Sequence, residues 1–167
     1  NRLNIKWSHL GLRPVLFKWI LISIISCFLL QIFFILLIVI FSELPLLESQ
    51  EIPQEIFLLF TKSTESYILS IFFGAVTIAV TEELLFRGIL YKWMRANWDT
   101  YTSIIASSII FTVVHPSSAG SPINIFIMGL ALAWFYERTG SLYPSIVLHL
   151  TNNVIGISII YSIIGIE

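Results

Sequence analysis

Charge is scarce in this sequence. Only 11% of its 167 residues are Asp, Glu, Lys or Arg, against 57% hydrophobic, and mean hydropathy is +0.91. Soluble domains are about half apolar and about a quarter charged, so the imbalance points to a bilayer and not to a large soluble core. With a net charge of −1, a pI near 6.3 and no Lys/Arg run interleaved with aromatics, nucleic-acid binding is excluded as a function class. Cysteine occurs once, as Cys27 within an apolar run. It forms no internal disulfide and reads as a small hydrophobe against lipid or a neighbouring helix. Internal repeats, low-complexity runs and any soluble domain are also missing. The first residue is asparagine, as expected of a fragment with helices missing at either end.

What is present is a series of long apolar stretches. Residues 1–14 carry Arg2, Lys6 and Arg13 with Trp7 and Leu10, a pattern suited to an amphipathic lead-in at the membrane interface, with His9 on its surface. Val15 to Phe41 would rise roughly 40 Å as a helix. It is too long for a signal-peptide core and lacks a small-residue cleavage pattern, so it reads as a retained span anchored by Lys18 and Trp19. Ser42 to Ser66 is an acidic loop interrupted by Pro45 and Pro53, with Gln54–Leu59 as a short interfacial turn. Its glutamates are irregularly spaced and have no histidine beside them, which favours a solvated face over a metal site.

Four further spans are expected: Tyr67–Tyr91, Thr102–Val114, Ile123–Tyr136 and Ser145–Ile164. Lys92, Arg95, Asn97 and Asp99 make the connection after the first of these. His115-Pro116 stops the second, since a residue before proline avoids helical geometry, and Gly140 stops the third. The fold class is therefore an all-α, polytopic membrane helical bundle of about five transmembrane helices with an intramembrane polar cavity. Residues 1–66 form an N-terminal portion and residues 67–167 a helical core. Arg2, Lys6, Arg13, Lys18, Lys92, Arg95 and Arg138 fall on one side of such a bundle, against Lys62 on the other. The positive-inside rule then puts the N-terminus in the cytoplasm of a multi-pass protein, in the cell's plasma membrane.

Within these spans the sequence keeps Glu82, Glu83 and Arg87, although each charge in hydrocarbon costs roughly 2.5–3.5 kcal/mol even on the gentlest scale. Glu83 and Arg87 are four apart and share a helix face, whereas Glu82 lies about 100° round and looks elsewhere. Phe111 and His115 are likewise four apart, as are His149 and Asn153, with Asn152 one step round. A lone intramembrane histidine or asparagine is ordinary glue between helices, and Phe111 is a packing residue. Three polar sets on successive helices instead suggest a shared interior. A carboxylate with a histidine activates water as general base. A histidine and an asparagine stabilise an oxyanion, by about 3–4 kcal/mol per donor in measured sites. Glu82, His115 and His149 are alternatively a three-ligand set for zinc or another divalent metal, with water in the fourth position.

Glu82-Glu83-x-x-x-Arg87, Phe111-x-x-x-His115 and His149-x-x-x-Asn153 together resemble the three motifs of the CPBP family, the intramembrane CAAX-protease and bacteriocin-processing (Abi) proteins. The resemblance covers roughly Tyr67 to Ile164. It implies an intramembrane endopeptidase acting on a membrane-associated peptide or protein, either a CAAX-type tail or a leader or signal peptide. By motif, Glu82 would be the general base and His115 its partner in activating water. His149 and Asn153 would stabilise the oxyanion, or His149 would bind a metal, and Glu83 and Arg87 would position the first motif helix. Both a metalloprotease and a metal-free mechanism fit these residues, with the metal-free one favoured because Asn153 is a poor zinc ligand. Family members usually have more spans than five. The partners implied are the bilayer and the substrate; oligomeric state is not read. The alternative class is a non-catalytic membrane partner, such as a regulator or bacteriocin-immunity protein. A proton-relay transporter is weaker, lacking inverted repeats or broken half-helices.

Overall fold

The computed structural model describes residues 7–41, 62–115 and 121–164. Five helices account for nearly all of them, with no strand among the described residues: α1 (Phe17–Ile40), α2 (Thr64–Asn97), α3 (Thr100–Val114), α4 (Pro122–Thr139) and α5 (Leu142–Ile164). The acidic stretch with Pro45, Pro53 and the Gln54–Leu59 turn lies outside the described residues, as does most of the Ser117–Ser121 loop.

Short polar signals set the helix ends. Ser63 caps α2 by accepting from Ser66 N, and Asp99 caps α3 by accepting from Tyr101 N and Thr102 N. The Thr102 hydroxyl and then its backbone N–H hold the Asp99 carboxyl below the usual carboxylate range. Ser121 caps α4 with Pro122 in its first turn, and Gly140, at φ +63°, closes α4 in the left-handed region. His115 turns extended before Pro116 and ends α3.

Two expectations are corrected here. Tyr91 does not end the second span: Lys92–Asn97 continues the same helix, so α2 has 34 residues. No glycine or proline breaks the chain there, and Lys, Met, Arg and Ala are good helix formers. Secondly, three helices among the described residues, α1, α2 and α5, are long and apolar enough to cross a membrane. Stopped by Pro116, the 15-residue α3 rises roughly 22 Å, short of about 30 Å of hydrocarbon.

α5 is central, packing on α1, α2 and α4, while α3 packs mainly on α4. Ser23, Cys27 and Phe34 form the buried seam of α1, with Trp19 and Leu30 packed beside it, while most of its other large apolar residues are outward. Trp19 is partly buried and packs inward. Its ring meets Trp134 and Phe135 edge-on, both at 6.3 Å, because α4 passes there. The lead-in is docked too. Leu142 N donates to Gly11 O (2.8 Å), Ser141 Oγ donates to Arg13 O (2.6 Å), and Lys92 Nζ donates to His9 O. A Cβ on Gly88 would meet Leu10 O at 2.9 Å, so only glycine admits the lead so close to α2. These contacts gather the lead, the α2–α3 connection and the α4–α5 connection at one end of the bundle.

Candidate active site

Midway along α2 the α-helical Ile78–Glu83 passes into a π-helical stretch, Leu84–Tyr91. Such wide turns are rare and re-aim the side chains around them, often at functional positions. Phe86, Arg87 and Gly88 on this stretch are buried. Arg87 Nη1 donates to Glu83 Oε1 at 2.8 Å, and neither side chain is exposed. Nη2 donates to Gly129 O of α4 at 3.1 Å, and the guanidinium lies 4.6 Å from the Phe111 ring centroid. The four-residue spacing thus yields the expected pair, and α4 completes its coordination. Gly129 also lets α3 pack closely on α4: a Cβ there would lie 3.1 Å from Ser108 Cβ and 3.2 Å from its Cα.

The same Glu83 oxygen meets α5, with His149 Nδ1 at 3.0 Å. An ionised carboxylate only accepts, so Nδ1 carries the hydrogen and Nε2 is left for Glu82, whose Oε2 is 3.7 Å away. His115 is set in the same manner. Its Nδ1 donates to Phe111 O at 2.6 Å, which leaves Nε2 facing Glu82 Oε2 at 3.3 Å. Glu82 therefore does not look away from the cluster. The imidazole of His149 is broad enough to touch both glutamates, one at each nitrogen.

Surroundings separate the two acids. Glu82 is 27% exposed at the side chain and Glu83 wholly buried. Glu82 Oε2 is within ion-pair range of both rings, yet aligned for a hydrogen bond to neither. Glu83 Oε2, Arg87 Nε and Asn124 Oδ1 are also buried without a hydrogen-bond partner among the described residues. Buried polar atoms in folded chains are normally paired, and these four gather about one site. Phe111 does more than fill space: its ring lies tilted on His115 at 4.1 Å and meets His149 and Phe86 edge-on.

A cavity of about 250 Å³ opens here, lined by Phe111, His115, Asn124, His149, Asn152 and Asn153, and by Gln31 and Phe34 of α1. Gln31 Nε2 donates to Asn152 Oδ1 at 2.7 Å, and Asn152 Nδ2 approaches Asn153 Oδ1 at 3.4 Å. Sequence spacing passed over Gln31 and Asn124. The signal for Gln31 was available, since it is the single amide in the Val15–Phe41 run.

Register explains how helices entered at different depths converge. Glu82 and His115 are each about 22 Å of helix from the tight α2–α3 connection. α5 starts much deeper, with Leu142 beside Gly88, so His149 needs only about 10 Å to reach Glu82.

Glu82, His115 and His149 are suitable metal donors by chemistry. However, no group of three or more His, Cys, Asp or Glu side chains among the described residues is arranged to hold a metal ion. Glu83 occupies one nitrogen of His149, and the other stays 3.7 Å from Glu82. The atoms a divalent metal would use are therefore the Nε2 atoms of His115 and His149 and Glu82 Oε2, with Glu83 holding His149 from behind.

A family model described as type II CAAX prenyl endopeptidase Rce1-like matches residues 64–155, more than half of the chain. No curated protein and no solved structure matches. The matched stretch contains all three motifs and leaves α1 outside.

Proposed function

The chain belongs to the type II CAAX prenyl endopeptidase Rce1-like family, and on that premise we propose that it hydrolyses a peptide bond within a prenylated, membrane-associated CAAX tail by glutamate-activated water. The observation that carries this reading is the convergence of two Nε2 atoms on one buried carboxylate oxygen of the partly exposed Glu82, beside a cavity that both histidines line. Two acceptors 3.3 Å apart repel unless a hydrogen lies between them, and a water donating to Glu82 and His115 supplies it.

In this mechanism the water oxygen attacks the scissile carbonyl carbon while Glu82 takes a proton from that water. The carbonyl oxygen becomes an oxyanion, facing the side of the cavity formed by His149 and Asn153. Collapse of the tetrahedral species breaks the C–N bond, and Glu82 returns its proton to the departing amine. The products are a new carboxylate and a free amine, and Glu82 is regenerated. Arg87 and Glu83 hold α2, α4 and α5 in register and touch no substrate. The concentration of lysine and arginine at the end bearing the lead supports a cytoplasmic N-terminus.

The test is cleavage of a farnesylated CAAX peptide by the purified chain in lipid vesicles, with and without a chelator. Cleavage should survive the chelator and disappear in Glu82→Gln and in His115→Ala. Loss on chelation with recovery on zinc would replace the metal-free mechanism. Full cleavage by both variants would remove the enzyme reading and favour a non-catalytic partner.

A further inference from the structure

A second cavity, of about 380 Å³, lies at the opposite end of the helices from the α3–α4 loop, where the docked lead meets α2 and α4. Arg13, Lys92, Arg95, Tyr91, Tyr136 and Glu137 line it. Three cations therefore face one carboxylate, and that carboxylate is already occupied. Glu137 accepts from Tyr91 OH at 2.9 Å, from Thr100 Oγ1 at 3.2 Å and from Arg95 Nε at 3.2 Å. Arg13 and Lys92 are held differently, by backbone carbonyls: Arg13 Nε donates to Ser8 O at 2.9 Å and Lys92 Nζ to His9 O. Carbonyl partners orient these groups without neutralising them. Neither has a carboxylate within ion-pair range among the described residues, so two positive charges remain at the mouth of the cavity.

The depth of this pocket is marked independently. Trp7, Trp93, Trp98, Tyr101 and Tyr143 are all exposed, at the lead, the α2–α3 connection and the start of α5. Trp93 and Trp98 pair edge-on at 6.0 Å. Exposed tryptophan and tyrosine concentrate at the headgroup layer of a bilayer. A pocket with two unneutralised cations at that level is suited to an anionic phosphate, as are other basic pockets between membrane helices. We propose that the Arg13/Lys92 cavity binds the phosphate of an anionic phospholipid headgroup, with both side chains acting as point donors and Tyr136 as a wall. The site is separate from the Glu82 cluster, and its occupancy does not depend on the proteolytic reading.

The experiment incorporates the full chain into nanodiscs of phosphatidylcholine with or without phosphatidylglycerol and reads retained lipid by native mass spectrometry. The wild-type chain should retain phosphatidylglycerol over phosphatidylcholine. Arg13→Gln with Lys92→Gln should lower that preference roughly thirtyfold, each cation near an anionic headgroup accounting for roughly a fivefold share. Arg13→Gln alone alters only an exposed side chain and should lower it roughly fivefold, so the proposal stays testable even if the double variant does not assemble. An undiminished preference in either variant overturns the proposal. Inorganic phosphate added in excess separates the two sources of the group. Continued lipid retention supports a lipid site, and complete displacement overturns the lipid assignment in favour of a soluble phosphate.

Discussion

Glu82 and Glu83 are adjacent and chemically identical, yet they belong to two different regions of the bundle. Glu83 sits in a sealed region where Arg87, Gly129 and His149 surround it and no part of its side chain reaches solvent. Glu82 sits one residue earlier at the edge of a cavity, near two imidazoles and hydrogen-bonded to neither. The difference lies in their neighbours and not in their own chemistry: a dry guanidinium fixes one carboxylate and leaves the other available. It teaches that neighbours give two adjacent charges different tasks, one to hold helices together and one, on the proposed reading, to act on water.

Arg87→Ala gives the largest expected effect. It strands a buried carboxylate, which costs about 3–5 kcal/mol in comparable buried pairs, and should abolish a monodisperse bundle in micelles. Wild-type resistance to denaturant in this variant would break the division between the two regions. Glu82→Gln should do the converse, lowering kcat about 10²–10⁴-fold while changing unfolding free energy by under about 1 kcal/mol. A collapse of stability would place Glu82 in the structural region instead. Smallest is Gln31→Leu, which frees Asn152 and through it the orientation of Asn153. A fall in kcat of about five- to tenfold with KM unchanged follows from removing one hydrogen bond. A change in KM alone would mean that Gln31 contacts substrate and does not position Asn153.

Much of the sealed region was legible in the sequence, because a four-residue spacing fixes which side chains share a helix face. Glu83 with Arg87 needed nothing more. The open region was harder. That Glu82 joins the cluster depends on an imidazole long enough to bridge two faces of α2, and on a π-helical stretch that no spacing rule announces. Gln31 was hidden because α1 carries no motif and an amide in an apolar run resembles ordinary helix glue. The length of α2 was misread for a related reason. Lys92 and Arg95 look like loop residues by charge, although they are good helix formers whose charged ends find partners in His9 O and Glu137. Pro116 gave the end of α3 correctly, but not that the helix would be too short to cross.

The docked lead has a consequence in time. Gly11 is made early, whereas Leu142, whose amide it holds, follows roughly 130 residues later. At about 5–20 residues per second, that delay is on the order of ten seconds during synthesis. Until then α2 presents Gly88 with its partner waiting but α5 absent, and the two histidines cannot meet. Closure of the clasp therefore waits for α5, and until α5 is made the site stays unassembled.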